Sequence, residues 1–387
     1  MKIMLTVSCL QGGGAERVAV VWADAFVRLG HDVVLATNKE ESDKPYVYPI
    51  NPKVKVVKCF VYKEGKAKEH DKYMRKRFGL PYRIYSALQY YTKTNFRLRR
   101  EMKRFQPDVV LGILQPTSLQ SLIASIGLRC KVVSTEHNSF ERPLSAPMSK
   151  STKFFKFVAN KWFPLVSVLT TADKEVIDGR LNNIEVMPNP LALTPIVHSL
   201  SSKKKRIVAA GRISDWECKG FDILIKAWGR IAHQHPEWQL DIAGTGDDAS
   251  KAYLQSLIDD NDIASQAILS GFHDDMATFY AESEVFVLSS RYEGFGMVLI
   301  EAMSQGCACV AVDYKGRQKE IIGSDSTGIC IEPDDVEAMS KAIKYLIDNE
   351  AERKEMQQKA IRRSHDFDSI EIARKWEKLF NEKLGLK

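Results

Sequence analysis

The sequence predicts an α/β protein made of two doubly wound domains, each a parallel sheet covered by helices on both faces. Three observations carry this. Short apolar runs alternate with helically spaced stretches along the whole chain, as fully covered parallel strands require. The rhythm breaks near 187–205, where "MPNPLALTPIVHSLSSKKKR" gathers three prolines, several serines and a basic run, and then it restarts. Finally, 387 residues are long for one core, so two domains of ordinary size are expected.

Taken in order, "KIMLTVSCL" is a strand and "AERVAVVWADAFVRLG" a helix, followed by the strands "HDVVLAT", "DVVLGIL", "KVVSTEH" and "VSVLTTA". Beyond the break come the strand "KRIVAAGR", the helix "GFDILIKAWGRIA" and the strands "WQLDIAG", "AILSGF", "EVFVLSS" and "CACVAVD". From Ala338 to Leu386 the pattern is helical, in at least two pieces broken near "SHDFDS".

Composition excludes several classes. At 44% hydrophobic and 27% charged, the chain shows no low-complexity tract and no solenoid or propeller repeat. No stretch of 18 apolar residues exists, and the N-terminal run reads as a buried strand, not a signal peptide. Seven scattered cysteines without a CxxC point to free, buried thiols in a reducing cytosol, not to a disulfide framework or a zinc site. Charge is split: residues 1–200 hold 31 Lys+Arg and 17 Asp+Glu, a balance of +14, and the rest hold 25 and 32, a balance of −7. The basic half is expected to face something anionic.

Two glycine turns stand out. "SCLQGGGAERVAV" runs strand, turn, helix, where backbone N–H groups could approach a phosphate. A dinucleotide fingerprint starting at Gly12 and Gly14 would need glycine where Arg17 stands. Alone, the stretch reads as a tight turn without a ligand, with an anion site as the alternative. "SSRYEGFGMVLIEAM" sets Glu293 and Glu301 around a Gly-Phe-Gly turn at the mouth of a helix, where parallel sheets place ligands. Two carboxylates flanking backbone donors suit a polyol–phosphate–polyol ligand, in other words a nucleotide-sugar. Alone, Glu293 reads as a helix cap and Glu301 as a solvated residue. "AAGRISDWECKGFD" offers the cations Arg212 and Lys219, and "STEHNSFERP" puts His137 at a strand end.

Together these stretches resemble glycosyltransferase family 4, retaining enzymes of the GT-B fold, over essentially the whole chain. The resemblance rests on Glu293-x7-Glu301, on Gly211-Arg212 with Lys219-Gly220, and on "GGGAERV", a variant common in members that build bacterial polysaccharides; "STEHN" and "VMPNP" fall where the family has a histidine and the interdomain crossover. It implies two Rossmann-like domains facing a central cleft. Residues 1–190 would bind the acceptor, 191–367 the donor, and the C-terminal helix, about 368–387, would pack back on the first domain.

The resemblance also implies roles. Arg212 and Lys219 would hold the donor diphosphate, Glu301 the ribose and Glu293 the donor sugar. The amides of Gly294, Phe295 and Gly296 would lie near sugar and phosphate. Gly13 and Gly14 would let the first domain close on the diphosphate, His137 would sit by the reacting sugar, and the base would rest near Phe272. No cofactor and no metal are expected, since the cation pair takes the metal's part and the nearby acidic pairs, Asp247-Asp248 and Asp274-Asp275, lack the Asp-x-Asp spacing of a metal–diphosphate site. One departure is "YKGRQKEII", which keeps Glu320 but sets Lys315 and Arg317 where many members have Gly-Gly-x-x-Glu.

Residues 60–104 contain 14 Lys+Arg, four acidic residues and interleaved aromatics, and "SKSTKFFKFVANKWF" adds Lys150, Lys153, Lys156 and Lys161 beside aromatic residues. Basic and aromatic residues on amphipathic helices suit an anionic membrane surface. The expected partners are a nucleotide-sugar, UDP-linked by preference, a glycan acceptor carried on a polyprenyl diphosphate, and the inner face of the cell membrane, but no nucleic acid. The alternatives are a UDP-sugar 2-epimerase of the same fold and a non-catalytic glycan- or membrane-binding partner.

Overall fold

A computed structural model describes residues 1–10, 12–38, 48–60, 65–143, 147–196 and 200–386. Positions 61–64 of the basic segment and 197–199 of the linker lie outside them. The first lobe is a parallel sheet of β1 (Lys2–Thr6), β2 (Asp32–Thr37), β3 (Lys55–Lys58), β4 (Val109–Ile113), β5 (Lys131–Thr135), β6 (Leu165–Val168) and β7 (Ile184–Val186), in the order β3-β2-β1-β4-β5-β6-β7. The second holds β8 (Lys204–Ala210), β9 (Gln239–Ala243), β10 (Ala267–Gly271), β11 (Ser283–Leu288), β12 (Ala308–Val312) and β13 (Ile329–Ile331), in the order β10-β9-β8-β11-β12-β13. Both are doubly wound: strand order reverses between β1 and β4, and between β8 and β11. The apolar-run reading misses β3, β7 and β13. They are three- or four-residue edge strands, too short and too exposed to leave an apolar run.

Side-chain alternation explains why the central strands are apolar throughout. Ile3 and Leu5 point to one face of the first sheet, into a core with Trp22 and Phe26, while Met4 enters the opposite core with Val34, Val110 and Leu98. In the second sheet Ile207 and Ala209 face Trp228 and Leu224, and Val208 faces Phe286 and Leu299. Each strand is buried on both sides, so no polar alternation remains.

The tail forms the helices Val336–Asp348, Glu350–Ser364 and Ser369–Leu384, with the break falling at His365–Asp368. Asp368 caps the last of these by accepting the Ile370 N–H at 2.8 Å. That helix buries Ile372, Ala373, Trp376, Phe380 and Leu384, one stripe at helical spacing, against the core of the first lobe. Trp376 meets Trp22 edge-on at 5.3 Å.

The helix Gly65–Phe105 is two helices joined at Gly79, where φ is +57°. Asp71 in the first piece accepts hydrogen bonds from Tyr82 and Ser86 in the second, folding the pair back on itself. Tyr73, Phe78, Leu80, Ile84, Tyr85, Leu88, Tyr91 and Phe96 remain exposed on it. The nearby helix Lys150–Phe157 requires a correction: Lys156 does not join the exposed basic face. It is buried, paired with Glu136 at 3.2 Å and bonded to the Asn138 carbonyl at 2.7 Å. No helix among the described residues is long and apolar enough to cross a membrane.

Candidate active site

The singled-out residues gather at the carboxyl ends of strands, at and beside the two points of strand-order reversal. Gly13 and Gly14 follow β1, His137 follows β5, Arg212 follows β8 and Glu293 follows β11. The crevice outside reversed strands is where open α/β sheets leave room for a ligand.

Lys219 and Glu293 meet directly. The Lys219 ammonium donates to Glu293 Oε1 at 2.6 Å, and the Ser290 hydroxyl donates to the same oxygen at 2.9 Å. The Glu293 charge raises the Lys219 pKa against the opposing effect of burial, so this lysine is a permanent cation. Its backbone is fixed from behind: Ser289 donates to the Lys219 carbonyl at 2.8 Å, and Gly220 adopts φ +63°, with Ser289 O only 2.0 Å from where a Cβ would lie. Glu293 is therefore an ion-pair partner, not a helix cap. The cap position of the helix Met297–Ser304 belongs to Gly296. Arg212 does not join this pair. It is mostly exposed and bonded to Asp215 at 2.9 Å.

Glu301 is 2% exposed, so the solvated reading fails. Its Oε1 accepts from Arg17 of the other lobe at 2.8 Å. Burial pushes its pKa up to about 7, with Arg17 pulling the other way. Arg17, where a dinucleotide fingerprint would want glycine, thus tethers the first helix, Gly14–Arg28, to the second lobe. The preceding turn is closed from within by a capping box. Glu16 accepts the Gly12 and Gly13 amides at 2.9 and 3.2 Å and the Cys9 thiol at 2.9 Å. Gly14 faces the opposite lobe, since a Cβ there would lie 3.8 Å from the Met297 sulfur.

The Glu301 shift has a testable sign. The folded protein keeps a proton that the unfolded chain releases, so this group lowers stability as pH rises from about 4.5 to about 7. Glu301→Gln is therefore expected to raise the melting temperature relative to wild type more at pH 8 than at about pH 5. Differential scanning calorimetry at both pH values checks it; an equal offset at the two refutes the assignment.

His137 is held at both ring nitrogens, by Thr135 Oγ1 at 3.0 Å and Asn189 Oδ1 at 2.9 Å, with Trp22 5.4 Å from its ring. Burial lowers its pKa to about 4 despite the Asn189 bond, so it is neutral at pH 7. The Gly294 turn of the second lobe lies on the loop that carries it. A Cβ on Gly294 would stand 3.1 Å from Ser139 N and 3.3 Å from His137 O, so a side chain there would crowd this approach and push the two segments apart by a few tenths of an ångström.

Phe295 turns into the core of its own lobe, 3% exposed and 5.8 Å from Phe367, so of this residue only the backbone can face the cleft. Phe272, 70% exposed, lies beyond the end of β10. Sequence reasoning missed Glu16, Arg17 and Asn189 as site residues, although each lies inside a quoted stretch.

The C-terminal half, residues 195–363, matches the family model described as glycosyl transferases group 1, and residues 12–194 match the model for glycosyltransferase family 4. An uncharacterized glycosyltransferase of Haemophilus influenzae is 27% identical over 366 residues, 94% of this chain and 95% of that one. A Campylobacter jejuni α-1,4-N-acetyl-D-galactosaminyltransferase, named for a diphospho-undecaprenol-linked substrate, is 24% identical over 387 residues, 99% of each chain. Among solved structures, Anabaena HepE with UDP and glucose superposes with a TM-score of 0.72 at 18% identity, covering 98% of this chain and 99% of its own. With residues 12–194 matching the one model and 195–363 the other, the chain is a glycosyltransferase of GT-B architecture, its first lobe of the glycosyltransferase family 4 kind and its second of group 1.

Proposed function

We propose that the chain is a retaining hexosyltransferase that moves a hexose or N-acetylhexosamine from a nucleotide-sugar, UDP-linked by preference, to a hydroxyl of a polyprenyl-diphosphate-linked glycan in bacterial surface polysaccharide assembly. The observation that carries this is the Lys219–Glu293 pair, set on a turn whose Gly294 touches the His137 loop of the opposite lobe. In this reading the Lys219 ammonium passes from Glu293 to the departing diphosphate, joined by Arg212 swinging off Asp215. That puts fixed positive charge where negative charge develops as the sugar–phosphate bond breaks. Glu293, released, accepts hydrogen bonds from the donor sugar, and the buried Glu301 takes the ribose hydroxyls in place of Arg17. Neutral His137, its ring oriented by Asn189, orients a hydroxyl of the reacting sugar by exchanging its Thr135 bond for that hydroxyl.

The Campylobacter relative's name supports the N-acetylhexosamine and the lipid-linked acceptor. The test is incubation with a panel of UDP- and GDP-sugars, followed by chromatography of the nucleotide and sugar products. Transfer, or slow hydrolysis without acceptor, is expected. Isomerised nucleotide-sugar would instead identify an epimerase, and an unchanged panel a binding protein.

The exposed aromatics and the lysines and arginines on Gly65–Phe105, and the exposed Phe154 and Trp162 of the same lobe, support docking on an anionic membrane surface. The protein is expected to sediment with vesicles containing phosphatidylglycerol, to stay in the supernatant with phosphatidylcholine alone, and to release as salt shortens the Debye length. Binding that ignores both lipid charge and salt counts against this surface.

A further inference from the structure

The turn after β12, where this chain departs from Gly-Gly-x-x-Glu, is built to deliver a cation into the other lobe. Asp313 accepts the amides of Gly316, Gln318 and Lys319 at 2.8 to 2.9 Å, and Gln318 accepts the Tyr314 amide at 2.7 Å, so the backbone is fixed. From this frame Arg317 reaches across the cleft with 0% exposure. Its Nη2 lies 2.8 Å from Asp173 Oδ1 and 3.7 Å from Glu141, while Lys315 pairs with Glu141 at the rim.

Asp173, 1% exposed, belongs to the first lobe, and the same Oδ1 accepts the Phe140 amide at 2.9 Å and the Ser139 hydroxyl at 3.2 Å. Those two residues follow closely on His137 in the segment between β5 and the helix Lys150–Phe157. Glu320, also from the turn, accepts the Thr171 amide at 2.7 Å, two residues before Asp173. The guanidinium and the carboxylate are both hidden from water, so parting the lobes would leave each an uncompensated charge and the pair favours the closed arrangement.

We infer that Arg317 is a positioning residue: by docking on Asp173 as the lobes close, it fixes the Ser139–Phe140 stretch that follows His137 against the Gly294 turn. The inference rests on the reading of His137 as a neighbour of the reacting sugar. On that reading catalytic geometry is completed only in the closed form, and a loop displaced by about 1 Å costs up to a hundredfold in rate.

The test compares wild type with Arg317→Met and with the double variant Asp173→Asn/Arg317→Met. The double variant removes both buried charges and keeps an acceptor for Phe140, and so stays folded where the single variant does not. Expected are a fall in kcat of about tenfold or more, a nucleotide-sugar KM within about twofold of wild type, and faster amide exchange at 137–140. A folded variant with wild-type kcat, or with wild-type exchange at 137–140, overturns the inference. If wild type itself transfers no sugar, the functional reading fails instead, and amide exchange alone decides this one.

Discussion

Lys219→Ala and Arg212→Ala each lower turnover at least tenfold, a loss of about 1.4 kcal/mol or more of transition-state stabilisation. The two arrive there differently. Arg212 is an exposed residue whose present partner, Asp215, lies three positions away, so its loss leaves stability nearly unchanged. Its effect is expected in the loaded enzyme, where on the proposed function the diphosphate would replace Asp215. Lys219 is packed against Gly211, with its stem carbons 3.3 Å from where a Cβ would lie there. Removing it also strands Glu293 as an unbalanced carboxylate beside the incoming phosphates. Lys219→Ala therefore raises the nucleotide-sugar KM as well as lowering kcat. Steady-state kinetics at varied donor, with thermal melting of both variants, separates the cases. Near-native turnover in both would remove the diphosphate clamp.

Gly220→Ala has the largest expected effect on stability and abolishes measurable transfer with it. The residue sits at φ +63°, where a side chain costs about 1 kcal/mol, and its Cβ would meet Ser289 O at 2.0 Å and the attached carbon at 2.9 Å. The obstacle is backbone at the end of a central strand, and Ser289 is 3% exposed, so it has little room to retreat. A total of about 2–4 kcal/mol is expected. Relief comes only by separating the Lys219 and Ser289 segments, and those segments carry the Lys219–Glu293 pair. Gly385→Ala is the control: φ is +68° there too, but nothing lies within 4 Å, so about 1 kcal/mol is lost and activity is kept. Equal melting temperatures for the two variants would show that the Ser289 contact yields.

What the sequence made legible was local. Strand and helix alternation follows from burial on both sheet faces, which every central strand records in its own residues. The Glu293–Glu301 spacing and its glycine turn could be read because one strand–turn–helix unit holds them. Pairings across the cleft could not. Arg17 and Glu301 are 284 positions apart, and nothing near either names the other. Arg317 shows the same limit: as letters it is a departure from a glycine turn, and only the packing of one lobe on the other gives it Asp173. Lys156 looked like its exposed neighbours because helical spacing alone does not say which lysine finds a buried carboxylate.

The ion pairs of the cleft bear on which small molecules it admits. Lys219 holds Glu293, Arg17 holds Glu301, Arg212 holds Asp215, and Glu16 fills the glycine turn. Under the proposed function, loading the donor would be an exchange of counter-ions, not the neutralisation of a bare positive socket. Orthophosphate must evict a carboxylate and offers that carboxylate no hydroxyls in return, whereas a nucleotide-sugar brings phosphates for the cations and diols for the acids they leave. The protein's own acidic side chains act as a filter that the complete donor alone can settle.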